Sequence, residues 1–344
     1  MLATLLLTAC SGVVVPRVDY ATPSPSARAD GAIDVGRDAT AVALGAGKAW
    51  VGNSGDGTLS VIDTAAATVV KTIRIGDTSV LQGRSCAPGT VHSAPDGSFS
   101  VRRCDLPSAV IFAAGSVWVT KDDDSSLIEL DPVTYAVKAR IPLGIRPFLM
   151  ASGGSAIWIT DYEHRALTRV DIATRTVVAT LQGLEPGPSG VAAGPEGVWV
   201  ANRNVNAATH VDPATNSVVA VLPVGGSPEE VPLVGGSPLA VAVADGSAWI
   251  KNEYAGTVSR IDPATNRLIV NIPVGPKEGR DGVDTLAVDG PYIWVTGMRI
   301  QRIDSRTNTV DRTLSQDATT IAAAGDGSLW ITDTAGRVKH VPGG

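Results

Sequence analysis

The chain contains four histidines, and imidazole is the side chain best suited to acid–base catalysis and metal binding near neutral pH. They are His92, His164, His210 and His340. His164 lies in the segment TDYEHR, directly after Glu163 and close to Asp161, and this trio is the strongest catalytic or metal-binding candidate. One histidine beside two acids is a weak pattern, so a polar surface loop is the favoured interpretation.

A second candidate is the acidic run Asp122-Asp123-Asp124 in TKDDDSS, because carboxylates are the ligands that hard cations prefer. The run lacks the alternating spacing and the glycine of a calcium-binding loop, which favours a solvated acidic loop. The sequence contains no nucleophile elbow, phosphate-binding loop or paired Cys-x-x-Cys motif. We therefore expect no cofactor and no resident metal, and enzymatic activity is the less favoured alternative.

Composition narrows the class of protein. The chain has 344 residues and a formal net charge of −6, which disfavours a nucleic-acid partner because phosphate backbones require clustered Lys and Arg. No apolar run in the sequence reaches the roughly 20 residues of a membrane-spanning helix. The length suits two ordinary domains or one large all-β domain.

The N-terminal segment is the one part of the sequence that suggests a membrane. Residues 1–10, MLATLLLTAC, resemble the lipobox of a bacterial lipoprotein signal, which implies lipidation at Cys10. No Lys or Arg precedes the run and its apolar part is short, so an accidental cysteine is the alternative. Residues 11–30 are rich in Ser, Pro and Ala and predict a flexible tether. We expect an extracytoplasmic protein, secreted or attached to the bacterial membrane only through this lipid.

The two remaining cysteines, Cys86 and Cys104, lie in one insertion, residues 76–108. Outside the cytosol such a pair predicts a disulfide, and two unrelated thiols are the alternative. A zinc site is disfavoured because no further Cys or matching His pair accompanies them.

The tryptophans reveal a repeat. Each is followed by Val or Ile, and they are Trp50, Trp118, Trp158, Trp199, Trp249, Trp294 and Trp330. Successive spacings are 68, 40, 41, 50, 45 and 36 residues, and about 40 residues is the size of a four-stranded propeller blade. We interpret all seven as structural residues that pack each blade against the next.

Each repeat contains four strand patterns in a fixed order. An alanine-rich strand is followed by a Gly-containing hairpin turn, the Trp strand, a polar loop and a third strand such as TVSRID. A turn such as DPATN then leads into an alternating fourth strand such as RLIVNIPVG. His210 and His340 occupy third-strand positions that other repeats fill with Ser, Arg or Glu, and we expect both on the surface.

The two ends of the repeat region complement each other. The last repeat, Thr319 to Val341, has three strand patterns, whereas Gly31 to Gly36 is a strand pattern with no repeat of its own. Pairing this N-terminal strand into the last blade would close the ring and cover an exposed edge. The predicted fold is therefore all-β: a seven-bladed propeller over residues 31–344, with four antiparallel strands in each blade.

At the segments WVAN, SRIDPATN and VVAVLPVG the chain resembles the YVTN-repeat family of bacterial β-propellers. The resemblance covers Gly31 to Val341 and implies the propeller fold rather than an activity. Similar propellers include virginiamycin B lyases, lactonases and quinoprotein dehydrogenases. The lyases use a His and acidic metal ligands in the later blades, and the corresponding sixth-repeat loop here, TGMR, has neither.

A lactonase would require acidic and Asn metal ligands that converge on the channel. The residues three positions after a Trp include Asn53, Asp161, Asn202, Asn252 and Asp333. These residue types also end strands and begin turns, which is the favoured interpretation.

Two kinds of loop are predicted to share one face of the propeller: the loops between blades and the loops between second and third strands. We call this the loop-rich face. The long insertions all fall there: Gly76 to Ser108, Gly225 to Pro238 and Gly275 to Asp284. Variable loops on a rigid frame are where binding residues usually lie. The candidate binding residues are Lys121, Asp122, Asp161, Tyr162, His164, Arg203, Lys251, Glu253, Tyr254 and Arg299.

The leading functional hypothesis is a monomeric binding or scaffolding propeller that holds a protein or small-molecule ligand on this face. The alternative is a metal-dependent lyase or lactonase at the channel mouth.

Overall fold

The computed structural model describes residues 31–75, 91–93, 99–101, 107–122, 124–225, 236–275, 285–297, 299–316, 318–333 and 335–343. They form seven four-stranded antiparallel sheets and one two-stranded hairpin. The first strands of neighbouring blades contact one another, so the first strand of each blade lies innermost and the fourth outermost. This confirms the seven-bladed β-propeller.

The blades follow one another along the chain. The strands of blade 1 are Ala39–Gly45, Lys48–Asn53, Thr58–Asp63 and Thr68–Arg74. Those of blade 2 are Pro107–Ala113, Ser116–Lys121, Ser126–Leu130 and Val137–Pro142. Those of blade 3 are Met150–Gly153, Ala156–Asp161, Ala166–Asp171 and Thr176–Gln182. Those of blades 4 and 5 are Pro188–Gly194, Gly197–Asn202, Ala207–Asp212 and Ser217–Pro223; Pro238–Ala244, Ser247–Asn252, Thr257–Asp262 and Arg267–Pro273. Those of blades 6 and 7 are Leu286–Asp289, Tyr292–Val295, Ile300–Asp304 and Thr309–Leu314; Thr320–Ala323, Leu329–Thr332, Arg337–Val341 and Ala32–Asp34.

The ring closes through the N-terminal strand. Ala32–Asp34 pairs antiparallel with Arg337–Val341, and Ile33 lies opposite Val338. Both side chains are at most 3% exposed, because they pack in one cluster with Trp330 of blade 7 and Val51 of blade 1. The first and last strands of the propeller are therefore joined by a hydrogen-bonded ladder and by the core.

The tryptophans are the centres of the interfaces between blades. All seven are at most 2% exposed, which confirms their structural role. Trp158 of blade 3 packs in one cluster with Val198 and Val211 of blade 4. The indole nitrogen of Trp118 donates to the carbonyl of Ala113 at 3.1 Å, so its polar atom is satisfied within the core.

The repeated DPATN segment forms a closed polar turn between the third and fourth strands. In blade 4, Asp212 accepts hydrogen bonds from the amide of Ala214 at 2.8 Å and the hydroxyl of Thr215 at 2.9 Å. These bonds lower the pKa of Asp212. Asn216 ends the turn in the left-handed region at φ 53°, which Asn tolerates better than most residues.

The same turn residue also contacts the preceding blade. Arg169 of blade 3 donates to Asn216 at 2.9 Å, and Arg260 of blade 5 donates to Asn308 at 2.7 Å. Each arginine also lies over the tryptophan of its own blade. We call this pairing of a third-strand residue with the left-handed residue of the next blade's turn an interblade clasp.

His210 takes part in such a clasp, so its predicted surface position is wrong. Its ring stacks on Trp199 with centroids 4.3 Å apart, and its Nδ1 lies 2.6 Å from Asn266 Oδ1 of blade 5. The residue is 9% exposed. His340 stacks on Trp330 in the same way, at 5.0 Å, and is exposed as expected.

The insertion between blades 1 and 2 contains a short hairpin, in which Val91–Ser93 pairs with Phe99–Val101. The predicted disulfide partners Cys86 and Cys104 and the predicted lipidation site Cys10 lie outside the described residues. In the described part of the chain, no helix is long and apolar enough to cross a membrane.

Candidate functional site

On the loop-rich face, Arg146 links a loop between blades to two loops between second and third strands. It follows the fourth strand of blade 2, and its guanidinium contacts Asp122 Oδ1 at 2.9 Å and Glu163, which lie in the second-to-third loops of blades 2 and 3. Its backbone amide donates to Asp161 at 2.8 Å. The hydrogen bonds to Asp122 and Glu163 raise the pKa of Arg146, so its charge is permanent and the three loops are held as one unit.

Asp161 orients His164. The carboxylate is fully buried and accepts the backbone amides of Glu163 and His164 at 3.1 and 2.9 Å. Its Oδ2 also lies 2.8 Å from His164 Nδ1, while the imidazole is 66% exposed. The contact holds the imidazole against the buried carboxylate while most of the ring stays exposed.

A hydrogen bond between Tyr162 and Asn204 joins blade 3 to blade 4. The Tyr162 hydroxyl donates to Asn204 Oδ1 at 2.8 Å, and the Tyr162 ring lies 5.5 Å from that of Phe148. Asn204 belongs to a short 3₁₀ turn, Arg203–Val205, and its amide donates to Pro186 in the preceding loop. The aromatic ring is therefore fixed at both of its ends.

Arg203 joins blade 4 to blade 5. Its guanidinium donates to Ser237 at 2.8 Å and to Glu253 at 2.9 Å. Glu253 is 4% exposed, so these two predicted binding residues bind each other. Lys251 is also buried and extends towards blade 6, where its Nζ lies 3.6 Å from the position that a Cβ would take at Gly297.

The acidic loop of blade 2 is an ion-pair network. Asp124 contacts Lys121 at 3.3 Å and Arg140 at 2.7 Å. Burial acts to raise the pKa of Asp124, but hydrogen bonds from Ser126 and Lys121 and the charge of Arg140 lower it overall. Asp122 is committed to Arg146, and Asp123 lies outside the described residues.

The structure thus brings the ten predicted binding residues to the second-to-third loops of blades 2 to 6 and to the strand ends beside them. Tyr162 and Arg203 are partly buried, and the other eight form two groups. Lys121, Asp122, Asp161, Lys251 and Glu253 are buried. His164, Tyr254 and Arg299 are exposed, with Tyr254 at 57%.

Arg146, Asn204 and Ser237 take part in these contacts but are not among the residues predicted from the sequence. Arg146 and Ser237 lie in loops between blades and Asn204 in a second-to-third loop, and none of them belongs to a recognisable motif. The sequence could have indicated these residues only through the predicted topology, which brings both kinds of loop to one face.

The described residues hold no group of three or more His, Cys, Asp and Glu arranged for a metal ion. The amides of Asn53, Asn202 and Asn252 each donate to a third-strand hydroxyl, at 2.9, 2.7 and 3.1 Å, from Thr58, Thr209 and Thr257. These asparagines end their strands, which supports the turn interpretation.

Comparison with known proteins supports the fold alone. No known sequence family matches the chain, and no curated protein matches it in sequence. A chain of the mitotic checkpoint complex superposes with a TM-score of 0.68 at 10% identity, covering 98% of both chains. A chain of the Kuenenia stuttgartiensis hydrazine synthase superposes with a TM-score of 0.62 at 12% identity, covering 88% of this chain and 95% of the other. The protein is thus a seven-bladed β-propeller, and its resemblance to the YVTN-repeat family stays a prediction.

Proposed function

We propose that this protein is a binding scaffold that holds a partner protein on the loop-rich face of the propeller. The observation that carries the proposal is the network centred on Arg146, which braces loops of blades 2 and 3 through Asp122, Asp161 and Glu163. Loops that are fixed in advance lose little conformational entropy on binding. The network therefore holds these loops in a fixed arrangement, so that they form a binding surface before the partner arrives.

The exposed residues favour a protein partner over a small molecule. His164, Tyr254 and Arg299 are spread over blades 3, 5 and 6, and Tyr and Arg are enriched at protein interfaces. The structural neighbour from the mitotic checkpoint complex is a propeller found in a protein assembly, which supports the proposal by analogy of fold only.

Substitution of exposed residues tests the proposal. His164→Gln combined with Tyr254→Ala is expected to reduce capture of the partner from an extract of the native host by about tenfold or more. The matched control is Val133→Ser, since Val133 is 77% exposed in the turn between the third and fourth strands of blade 2, on the opposite face. Equal capture by both variants would refute a role for the loop-rich face.

Arg203→Ala is a poor test of binding, although Arg203 is a predicted binding residue. The substitution removes the guanidinium that contacts buried Glu253 at 2.9 Å, and disrupting a buried ion pair destabilises the fold. Reduced binding would then report reduced stability.

The second candidate function is hydrolysis or elimination at the channel mouth, and the contact between Asp161 and His164 is the observation that favours it. A buried carboxylate that accepts Nδ1–H is the arrangement of a general base or of a metal-bound imidazole. Titration with Zn²⁺, Mn²⁺ and Mg²⁺ distinguishes the candidates, because tight one-to-one binding that His164→Gln abolishes would favour the enzyme.

We also propose that the protein acts outside the cytoplasm and is held at the membrane by a lipid on Cys10. The lipobox-like residues 1–10 and the Ser/Pro-rich residues 11–30 support this proposal. Labelling of cells with an alkyne fatty acid should mark the wild-type protein and leave Cys10→Ser unmarked. Peptide mapping without reductant tests the companion expectation of a Cys86–Cys104 bridge.

A further inference from the structure

The N-terminal strand of the propeller ends at the loop-rich face. Ala32–Asp34 is the outermost strand of blade 7, and residues 35–38 connect it to Ala39–Gly45, the innermost strand of blade 1. The amide of Ser54, in the second-to-third loop of blade 1, donates to the carbonyl oxygen of Asp38 at 2.9 Å. This connection therefore lies among the loops of the loop-rich face.

The start of the same strand lies at the opposite face, which carries the turns between third and fourth strands. Ala32 pairs with Lys339, and Asp34 pairs with Arg337. Arg337 follows the second-to-third loop of blade 7, and its guanidinium contacts Asp333 of that loop at 2.6 Å. The pairing with Lys339 therefore places Ala32 towards the far end of the third strand, at the opposite face.

Residues 1–30 precede this strand, so an anchor on them is attached to the propeller at the opposite face. The 20 residues 11–30 separate the proposed lipid site, Cys10, from Gly31. A flexible chain of that length has a root-mean-square span of about 25 Å, and no chain of that length spans more than about 70 Å. The distance that the tether can bridge is thus limited.

The blades fix the distance between the two faces. A strand of seven residues, such as Thr68–Arg74, is about 23 Å long. With the loop-rich face turned to the membrane, the start of the N-terminal strand stands at least about 23 Å above the lipid. A partner domain of about 30 Å bound on that face would raise this height to roughly 50 Å, which is twice the average span of the tether.

The reverse orientation needs no such extension, because the tether then leaves the propeller directly towards the lipid. A linker that must stretch far beyond its average span rarely reaches its second site. We infer that, given the lipid on Cys10 and the binding face proposed above, the anchored protein turns its opposite face to the membrane and presents the loop-rich face to the aqueous compartment. The partner of the loop-rich face is accordingly a protein that approaches from the aqueous side.

Vesicles that carry a nickel-chelating lipid test the orientation with a synthetic anchor. A histidine tag replaces residues 1–10, and residues 11–344 stay intact. A donor dye is attached through an unnatural amino acid in place of Val133 on the opposite face or of Tyr254 on the loop-rich face, and a lipid of the outer leaflet carries the acceptor. Blades 2 and 5, which hold these residues, each lie two blades away from blade 7, so the positions are matched in lateral distance from the anchor.

Energy transfer from position 133 should be about twofold more efficient than from position 254, because the blades hold the two faces about 23 Å apart. Both native side chains are exposed, at 77% and 57%, so the labels leave the core intact. Imidazole releases the tag and should abolish transfer from both positions. A second copy of residues 11–30 should reduce the difference, because a longer tether lets either face approach the membrane.

Equal transfer from the two positions, or more efficient transfer from position 254, would overturn the inference. A difference that survives imidazole or the longer tether would also overturn it, since the tether would then not be its cause. The nickel-chelating lipid replaces the natural one, so these results do not depend on lipidation of Cys10. Failed fatty-acid labelling would instead refute the native anchor, and the two failures are thereby distinguished.

Discussion

Asn266 of blade 5 holds His210 of blade 4: the Nδ1 of the imidazole lies 2.6 Å from the amide oxygen, and the ring stacks on Trp199. Asn266 itself adopts φ 53°. One residue of the repeated turn therefore ends its own turn and binds the preceding blade. The recurrence of the DPATN segment is thus explained by contacts between blades as well as by turn geometry.

The first prediction separates these two roles. Asn266→Gly keeps the left-handed backbone accessible and removes only the side chain, so it should destabilise the protein by about 1 kcal/mol through loss of the clasp. Asn266→Ala should cost more, because alanine is also strained at positive φ. Urea unfolding of both variants measures the difference, and equal stability of Asn266→Gly and the wild type would contradict the clasp.

The second prediction concerns Ala67, the equivalent turn residue of blade 1. It adopts φ 51° and packs in the cluster that contains Trp330. Ala67→Gly should stabilise the protein by roughly 0.5–1 kcal/mol because the backbone strain is relieved. Ala67→Asn should also stabilise it, since Asn tolerates the left-handed region better than Ala. Destabilisation by Ala67→Gly in urea unfolding would show that the methyl group matters more than the strain.

The third prediction is a pH dependence. Burial acts to raise the pKa of Glu129, but hydrogen bonds from Arg175, Lys138 and Ser116 lower it from 4.5 to about 2. A carboxylate whose pKa is lower in the folded state stabilises the fold above its unfolded pKa. This contribution is lost as the pH falls from about 4.5 through about 2.

Glu129→Gln should therefore be less stable than the wild type at pH 7, and the difference in unfolding free energy should shrink below pH 4.5. Urea unfolding between pH 7 and pH 3 measures it. A difference that is the same at every pH would mean that shape, rather than charge, is what Glu129 contributes.

The fourth prediction concerns ring closure. Deletion of residues 31–36 should sharply lower the melting temperature, because it removes a strand of blade 7 and exposes its edge. Ile33→Ala should destabilise by about 2–4 kcal/mol, since Ile33 is 3% exposed. Val70→Ala on the outer strand of blade 1, where Val70 is 48% exposed, is the control. Unchanged melting of the deletion variant would contradict closure by this strand.

The architecture was predictable from the sequence because it repeats. Seven Trp-centred segments and the unpaired strand pattern before the first repeat were enough to predict seven blades and their closure. The clasps were not predictable in the same way. His210 and Asn266 are 56 residues apart, and neither residue type indicates burial, so only their juxtaposition across a junction reveals the contact.

The candidate site was predictable only in outline. Topology places the ten predicted residues on one face, but the pairing of Arg203 with Glu253 depends on side-chain geometry at a junction. Arg146 was missed because a single arginine after a strand has no signature. Which residues stay exposed, such as Tyr254 at 57%, is not indicated by residue type.

Site-specific photo-crosslinking in the native host shows directly whether a partner binds the loop-rich face. A benzophenone amino acid would replace Tyr254 or His164 on that face and, as the control, Val133 on the opposite one. We expect one discrete adduct from positions 254 and 164 and none from position 133. An adduct from position 133 alone, or equal adducts from all three positions, would contradict it.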